Sequence, residues 1–306
     1  MAETLALIDL GSNAARFLLA HIDPGIRYRV LHASRVQTRL AASPAGRVSA
    51  AALRLTLEST RRFLRRVHDG AAPKVVAIAT AAVRDAVNRD HLIEAFRRTE
   101  GVELRVLSGH EEAHLGALAA IYTLKVQRAT VADLGGGSLQ LARVRDAQVV
   151  QTASLALGTV RTTTRFLHSD PPTSKQVRAL REEIREQVLG HLPAGGQVDD
   201  LVGVGGTARA LARLHLATRG GDGRRHGLRL ARAQVSALRE LLERRTVRER
   251  RRLEGLDAKR ADIILAGAIT IEELMTFGDY PVLTVCSARV HDGLLWQETF
   301  GERTRP

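Results

Sequence analysis

The chain has 306 residues, with 46 lysines and arginines against 33 aspartates and glutamates, a formal net charge of +13 at pH 7. This length suits one large or two medium domains, each with its own core. No apolar run approaches the roughly 18 residues that cross a bilayer, the sequence shows no basic region followed by the apolar core of a signal peptide, and the single Cys286 excludes an internal disulfide. We therefore expect a cytoplasmic protein without a membrane partner, and the positive charge favours a polyanionic ligand.

Apolar runs of strand length alternate with segments of helical periodicity, which predicts an α/β sheet covered by helices. The first elements are two short strands, at 5–10 and 16–21, on either side of a glycine turn. The other elements predicted in this half are a strand at 28–31, a helix at 49–68, a strand at 74–79, a helix at 89–98, a strand at 103–107 and a helix at 111–124.

The pattern of strand, glycine turn and strand starts again near residue 130. Strands predicted at 130–133, 139–144 and 148–153 repeat the theme of the N-terminus, and Asp133 takes the place that Asp9 has in the first copy. Because the two copies lie about one domain length apart, we expect an internal duplication. The predicted domains are 1–126 and 127–306.

Three glycine-containing loops follow apolar strands. Glycine permits positive φ and close approach of a ligand, and clustered backbone N–H groups at such loop tips bind anions. The loop residues are Gly11, Ser12 and Asn13; Gly135, Gly136, Gly137 and Ser138; and Gly205, Gly206 and Thr207. None matches the GxxxxGKS/T phosphate loop or a dinucleotide fingerprint with its acidic residue. Three loops, two of them related by the repeat, predict a cleft between the two halves that binds phosphate groups.

Longer segments carry a resemblance to a known family. They include "IDLGSNAARFLLA", "ATAAVRDAVNRD", "LSGHEEAHL", "ADLGGGSLQL", "GVGGTARALARL" and "KRADIILAGA". The paired Asp-x-Gly hairpins resemble the actin-like ATPase superfamily. The segments, in this order, resemble the Ppx/GppA family of exopolyphosphatases and guanosine pentaphosphate phosphohydrolases. The resemblance implies an α/β fold of two actin-like, ribonuclease H-like domains with a cleft between them. It also implies hydrolysis of the terminal phosphate of inorganic polyphosphate or guanosine pentaphosphate (pppGpp), with Mg²⁺ or another divalent cation as cofactor.

The resemblance further implies roles for single residues. Glu112 takes the place of the catalytic glutamate that orients or deprotonates water, and Arg84 that of a phosphate-contacting arginine. Arg260 resembles an arginine that faces the cleft. Asp9 and Asp133 would hold the metal, directly or through water, and the three loops would contact phosphate. Phosphoryl transfer depends on positioning and charge neutralisation, which one carboxylate, arginines and N–H groups can supply.

Three positions depart from the family pattern. Gln140 stands where the family has a glutamate that helps to ligate the metal, with Leu139 in place of threonine beside it. The neutral amide removes one negative charge, so we expect weaker metal binding. Ala14 replaces the usual serine in the first loop, and His291 stands where an arginine is common.

The pentapeptide from His110 to His114, "HEEAH", also satisfies the zinc metalloprotease signature, with Glu111 as its general base. No third ligand follows at the expected spacing, and a protease would leave the phosphate-type loops unexplained. Adjacent helical residues point about 100° apart, so Glu111 and Glu112 face different directions. A glutamate pair at a helix start is otherwise typical of capping and of the helix dipole.

The sequence favours an exopolyphosphatase, a phosphoric anhydride hydrolase, because the strong positive charge suits a long anionic chain. The alternatives are a pppGpp 5′-phosphohydrolase, a polyphosphate-binding sensor with weak catalysis, and a small-molecule kinase of the actin-like superfamily. The basic run "RRTVRERRRLEG" contains no aromatic residue to stack on bases, and no sequence-specific nucleic-acid partner is expected. A homodimer is an expectation that comes from the resemblance alone.

Overall fold

The computed structural model describes residues 3–40, 46–67, 73–192, 200–221 and 223–301. Their contacts divide the chain into two compact units. The first unit contains the described residues up to Glu112 together with those from His291 onward, and the second runs from Ala113 to Val290. The sequence repeat predicts two domains that meet between residues 126 and 127. This domain boundary stays a prediction.

The first unit is built on a five-stranded sheet with the order β3-β2-β1-β4-β5. Its elements are β1 (Glu3–Leu10), β2 (Ala15–Asp23), β3 (Arg27–Val36), α1 (Ala50–Val67), β4 (Lys74–Ala79), α2 (Ala81–Arg84), α3 (Arg89–Glu100), β5 (Leu104–Val106) and the start of α4 (Gly109–Leu124). Strand β1 pairs antiparallel with β2 and parallel with β4. Residues 5–10 of this central strand are all buried, which explains their nearly continuous apolar sequence.

Helices α1 and α3 pack in the core of the first unit. Phe63 of α1 and Phe96 of α3 are buried in one cluster with Ile8 and Phe17 of the sheet. The rings of Phe17 and Phe63 lie 5.4 Å apart, a favourable distance for an aromatic pair. These contacts attach both helices to the sheet of the first unit.

The second unit has a six-stranded sheet with the order β10-β11-β9-β6-β7-β8. Its elements are β6 (Ala129–Leu134), β7 (Leu139–Arg145), β8 (Gln148–Leu155), α5 (Thr159–Phe166), α6 (Ser174–Val188), β9 (Asp200–Val204), α7 (Gly205–Thr218), β10 (Arg229–Ala231), α8 (Arg232–Glu243), α9 (Val247–Arg250), α10 (Ile264–Phe277) and β11 (Val282–Val285). The last described helix, α11 (Val290–Phe300), belongs from His291 onward to the first unit. Helix α10 is apolar on nearly every side and almost wholly buried, as expected of a central helix.

The two sheets share one topology. In each, three consecutive antiparallel strands (β3-β2-β1 and β8-β7-β6) form one side of the sheet. The third of them is followed in the sheet by two parallel strands (β4 and β5, or β9 and β11). The mixed α/β class predicted from the sequence is confirmed, and the repeat in the sequence corresponds to a repeat of sheet topology. None of the helices in the described part of the chain is long and apolar enough to span a membrane.

The structure adds elements that periodicity did not reveal. Strand β3 runs from Arg27 to Val36, longer than the predicted 28–31, because it is an exposed edge strand whose polar residues hide the pattern. Helix α5 contains four threonines, which have low helix propensity. Strand β10 has three residues and lies in a segment whose arginines and glycines suggest a loop.

Candidate functional site

The two duplicated hairpins turn in the same way. In the first, the Gly11 amide donates to the Ala14 carbonyl at 3.2 Å, and in the second the Gly135 amide donates to the Ser138 carbonyl at 3.0 Å. The aspartate two positions before each turn glycine pairs in matching register, so that Asp9 lies opposite Arg16 and Asp133 opposite Gln140. The two aspartates are therefore structural equivalents, as the sequence repeat predicts.

Glu112 and Arg84 form a hydrogen-bonded ion pair in the first unit. Arg84 Nη1 donates to Glu112 Oε2 at 3.0 Å and also to the carbonyl of Leu107 at 3.0 Å. The Glu112 residue is only 7% exposed, and the arginine side chain is 20% exposed. Two predicted site residues from separate segments are thus brought into contact.

This pair lies at the same sheet edge as the first loop. Thr80, just after β4, donates its amide to the carbonyl of Leu10 at the end of β1, and Leu107, just after β5, donates to the carbonyl of Ala79. The carboxyl ends of parallel strands are where open α/β sheets bind ligands. The Arg84–Glu112 pair and the loop at Gly11 therefore share the edge that is typical of a binding site.

Glu111 has a different role from its neighbour. Its carboxylate accepts a hydrogen bond from the Ser108 amide at 2.8 Å, while the Ser108 hydroxyl accepts one from the Glu111 amide at 3.1 Å. This reciprocal arrangement is a capping box at the start of α4. The Ser108 backbone bond, together with the Arg105 guanidinium, lowers the pKa of Glu111 to about 2.

The zinc hypothesis finds no support in this geometry. The predicted general base Glu111 is held by Ser108 and by Arg105. Within the described ranges, no three side chains of His, Cys, Asp or Glu converge on a point where they could hold a metal. A catalytic zinc site needs three protein ligands.

Asp9 is buried among basic side chains. Its Oδ2 accepts a hydrogen bond from His291 Nδ1 at 2.9 Å and one from Arg16 Nη1 at 3.4 Å. Asp9 and His291 are 4% and 3% exposed. His291 therefore makes a direct contact with a predicted metal ligand, and Arg16 neutralises the same carboxylate.

The first loop also presents a polar side chain with unused hydrogen-bonding capacity. Asn13 Oδ1 accepts from Gln37 Nε2 at 3.3 Å, and the Asn13 carbonyl accepts from the Arg39 amide at 3.2 Å. Among the described residues, no partner is found for the buried Nδ2 group of Asn13. A buried amide donor of this kind suits an anionic oxygen.

The second loop is fixed by the start of α5. The amide of Thr159 donates to the Gly135 carbonyl and that of Val160 to the Gly136 carbonyl, both at 2.9 Å. Arg161 Nε donates to the Gly137 carbonyl at 3.0 Å. A side chain at Gly158 would clash with the backbone of Gly136, Gly137 and Ser138. These bonds to the loop carbonyls fix the orientation of the peptide planes from Gly135 to Ser138.

Asp133 and the third loop meet in the second unit. Gly205 has φ +86°, and a Cβ there would clash with Asp133 Oδ1, so that only glycine leaves room for the carboxylate. From the other side, a Cβ at Gly116 of α4 would lie 3.8 Å from Asp133 Oδ2. Arg260 lies with its guanidinium against Gly206. The structure thus brings together Asp133, the third loop and Arg260.

Thr207 is oriented inward and bonds to the neighbouring strand. Its hydroxyl donates to the carbonyl of Leu134 at 3.3 Å, and the residue is 1% exposed. This contact ties the third loop to the end of β6, immediately before the second loop. The hydroxyl therefore serves the scaffold, and the phosphate contact predicted for Thr207 stays a prediction.

Gln140 lies beside Asp133 on the neighbouring strand. Its Nε2 donates to Ser138 Oγ at 2.6 Å and to Ser154 Oγ at 3.2 Å. Its Oε1 is buried and has no hydrogen-bond partner within the described part of the chain. A buried carbonyl oxygen without a partner is costly, so a cation or a water molecule is the expected complement.

These oxygens fit a divalent cation such as Mg²⁺. The ion keeps several of its waters and takes one or two carboxylates from the protein. The second unit offers the carboxylate of Asp133 and the unpartnered oxygen of Gln140 on adjacent strands. Asp9, by contrast, is engaged with His291 and Arg16 and is better suited to an indirect contact through water.

Three residues of this site were missed as functional candidates. Arg16 could have been found from the hairpin register, since it lies opposite Asp9. Gly158 and Arg161 occur in the segment "LGTVRTTTRF", where a glycine before a helix suggests a tight turn and the arginine has no distinguishing pattern. The family resemblance also implies that Asn88 supports Arg84. Its side chain forms two hydrogen bonds with the backbone of Val48, and the supporting role stays a prediction.

Two sheets of shared topology, each with a glycine turn that follows an aspartate, define a protein with the actin-like ATPase fold. The model of the Ppx/GppA phosphatase family matches residues 18–299. The chain therefore belongs to the Ppx/GppA phosphatase family. The resemblance stated from the sequence is confirmed.

Several known proteins are similar over nearly the whole chain. Exopolyphosphatase 1 of Mycobacterium tuberculosis is 30% identical, with 97% of this chain and 89% of the relative covered. Exopolyphosphatase 2 of the same organism is 32% identical, with 88% and 89% covered. The crystal structure of the Aquifex aeolicus Ppx/GppA family member is 26% identical and superimposes with a TM-score of 0.83 over 97% of this chain and 98% of that one.

Proposed function

We propose that this protein is an exopolyphosphatase that removes the terminal phosphate of inorganic polyphosphate. The observation that carries the proposal is the contact between Arg84 and Glu112, the two residues to which the family resemblance gives catalytic roles. The names of the mycobacterial relatives support the same substrate. The formal net charge of +13 favours a long polyanion over a small phosphoester.

In this proposal Glu112 is the general base. An ionised carboxylate accepts a proton from water while the water oxygen forms a bond to the terminal phosphorus. The bridging P–O bond breaks, and the shortened chain leaves with the bonding electron pair. The contact with Arg84 and the burial of Glu112 support this role, because they hold the carboxylate in one orientation.

Arg84 and the first loop are proposed to stabilise the charge that develops on the phosphate oxygens. The Arg84 guanidinium presents further N–H donors beyond the Nη1 group that binds Glu112 and Leu107. The backbone amides of the first loop that follow Gly11, whose own amide closes the turn, and the Asn13 Nδ2 group would add donors that are fixed before substrate arrives. Donors that need no reorganisation contribute most to stabilising a transition state.

We infer that Asp133 and Gln140 hold the metal ion, with Mg²⁺ as the candidate. The register of β6 and β7 and the unpartnered Gln140 Oε1 support this assignment. A bound Mg²⁺ would neutralise negative charge on the phosphate groups. Because Gln140 contributes no negative charge, we expect a weaker metal affinity than a glutamate at this position would give.

The proposal is tested by phosphate release. Purified protein is incubated with long-chain polyphosphate or with pppGpp over a range of Mg²⁺ concentrations, and free phosphate is measured over time. We expect release from polyphosphate at a higher kcat/KM than from pppGpp. A higher kcat/KM on pppGpp would favour the alternative phosphohydrolase, and no release from either substrate would contradict both.

A second candidate function is a polyphosphate sensor with weak catalysis. It is favoured by the amide at Gln140 and by the contact that ties Asp9 to His291. Equilibrium binding of polyphosphate separates the two functions. Tight binding without turnover across Mg²⁺, Mn²⁺ and Co²⁺ would select the sensor, whereas turnover that depends on Glu112 would select the enzyme.

We further propose that the protein acts in the cytoplasm and forms a homodimer. The single cysteine, Cys286, is buried and forms no disulfide, which is compatible with a reducing compartment. The homodimer follows from the family resemblance alone. Sedimentation equilibrium at several protein concentrations tests it, and a monomer mass at the highest concentration would contradict it.

A further inference from the structure

A cavity of about 690 Å³ lies in the first unit, apart from the residues assigned to catalysis. It is lined by the segment before α1, by one side of α1 and by the start of α3. The volume is within the range of small-molecule sites, roughly 300–1,000 Å³. Neither Arg84 nor Glu112 nor any residue of the three glycine loops lines it.

The cavity is lined by basic side chains from three places in the sequence. Arg47 precedes α1, Arg54 and Arg61 lie two turns apart on α1, and His91 comes from α3. Glu58 is the acidic residue in this lining. The arginines outnumber it, so the lining attracts anions.

Two of these arginines form no ion pair among the residues that the structure describes. Arg61 forms an ion pair with Glu100 at 3.0 Å. Within the described residues, Arg47 and Arg54 form no ion pair, although Glu58 stands one turn from Arg54 on the same helix. Both residues are exposed and line the cavity, and an arginine guanidinium can bind phosphate oxygens bidentately.

The inner surface of the cavity is apolar. Val48 is 4% exposed, and Leu53 and Leu57 of α1 are half-buried and pack against the core of the first unit. A bare phosphate would leave this surface uncovered. A ligand that joins a phosphate group to a flat ring system would cover it with a face of the ring, and guanidinium groups also stack on such faces.

The wall of the cavity is held by the segment that carries Arg84. Asn88 Nδ2 donates to the Val48 carbonyl at 2.9 Å, and Asn88 Oδ1 accepts from the Val48 amide at 2.9 Å. Asn88 lies four positions after Arg84, and its side chain lines the cavity. This two-way contact fixes the cavity wall before any ligand binds.

We propose that this cavity is a second, non-catalytic anion site that binds a nucleotide. Its phosphates contact Arg47 and Arg54, and its base lies against Leu53 and Leu57. Binding here needs no metal, because arginines supply the positive charge. The site is independent of the proposed polyphosphatase activity.

The test is titration calorimetry of the full chain with ATP in the presence of EDTA, which removes divalent cations and prevents turnover. We expect the double variant Arg47→Ala/Arg54→Ala to bind ATP at least about tenfold more weakly than wild type. The matched control is Arg62→Ala/Arg65→Ala, which removes two exposed arginines of α1 that do not line the cavity. Its affinity should stay within about twofold of wild type.

Inorganic tripolyphosphate completes the design. At the site that Arg47→Ala/Arg54→Ala removes, tripolyphosphate should bind at least about tenfold more weakly than ATP, because it leaves the apolar surface bare. The proposal is overturned if wild type binds no ATP, if Arg47→Ala/Arg54→Ala binds it like wild type, or if tripolyphosphate binds as tightly as ATP at the site that the double variant removes.

Discussion

Arg84 and Glu112 lie 28 positions apart in the sequence and meet through one hydrogen bond, 3.0 Å from Nη1 to Oε2. The same guanidinium nitrogen binds the carbonyl of Leu107 at the end of β5. Because the arginine is anchored to the backbone, the glutamate is held at the carboxyl edge of the sheet. This contact joins the segment after β4 to the start of α4.

Replacing Arg84 should lower the rate and leave the fold intact. We expect Arg84→Ala to reduce the kcat of phosphate release by about 10²- to 10³-fold, the effect typical of losing a donor to a developing oxyanion. Arg84→Lys should recover part of the rate, because it keeps the charge and loses the planar fork. The control is Arg89→Ala, an exposed arginine of the same segment. Equal rates for Arg84→Ala and Arg89→Ala would contradict the role of Arg84.

Removing His291 should destabilise the protein through Asp9. His291→Ala leaves a buried carboxylate without one of its donors, which should lower the free energy of unfolding by about 1–3 kcal/mol. His291→Asn should recover part of the loss, since its amide can donate from a similar position. Urea unfolding monitored by circular dichroism measures both variants. If the urea midpoint of His291→Ala equals that of wild type, the hydrogen bond between His291 and Asp9 contributes nothing to stability.

The amide at Gln140 should set the metal requirement. Gln140→Glu adds a carboxylate beside Asp133, so we expect the Mg²⁺ concentration for half-maximal activity to fall several-fold. Calorimetry with Mg²⁺ alone should show the same gain in affinity without any substrate. Gln148→Glu, at an exposed position on β8, is the matched control for the added charge. A titration indistinguishable from wild type would refute the assignment of Gln140 to the metal site.

Glu111 should affect stability in a pH-dependent way. Its pKa is lowered to about 2 from an ordinary value of 4.5, chiefly by the Ser108 backbone hydrogen bond. The resulting stability is fully present above pH 4.5 and is lost as pH falls through about 2. Glu111→Gln should therefore cost about 0.5–1 kcal/mol at pH 7, a small value because the side chain is 42% exposed. Thermal unfolding measures the stability difference between wild type and Glu111→Gln, which should be smaller at pH 2.5 than at pH 7. An equal difference at both pH values would contradict the capping role of Glu111.

The duplicated hairpins could be predicted because their pattern is local. Apolar runs, the turn glycines and the repeat of Asp9 at Asp133 all lie within short stretches, and β-hairpin register follows from turn length. The separation of Glu111 from Glu112 also followed from the 100° spacing of helical residues. These inferences needed no knowledge of distant contacts.

Long-range contacts could not be predicted in the same way. His291 reaches Asp9 across almost the whole chain, and Asn88 reaches Val48 across 40 positions. Neither pair leaves a periodic signal in one sequence. Helix α5 was missed because its threonines oppose helix formation, and only its contact with the loop from Gly135 to Ser138 explains why the segment is helical.

We propose Glu112, and not the neighbouring Glu111, as the catalytic carboxylate. The most direct measurement is the initial rate of phosphate release from polyphosphate by Glu112→Gln and Glu111→Gln, each at saturating Mg²⁺. We predict that kcat falls by about 10²- to 10⁴-fold in Glu112→Gln and stays within about twofold of wild type in Glu111→Gln. Equal activity of Glu112→Gln and wild type, or a larger loss in Glu111→Gln, would contradict the account.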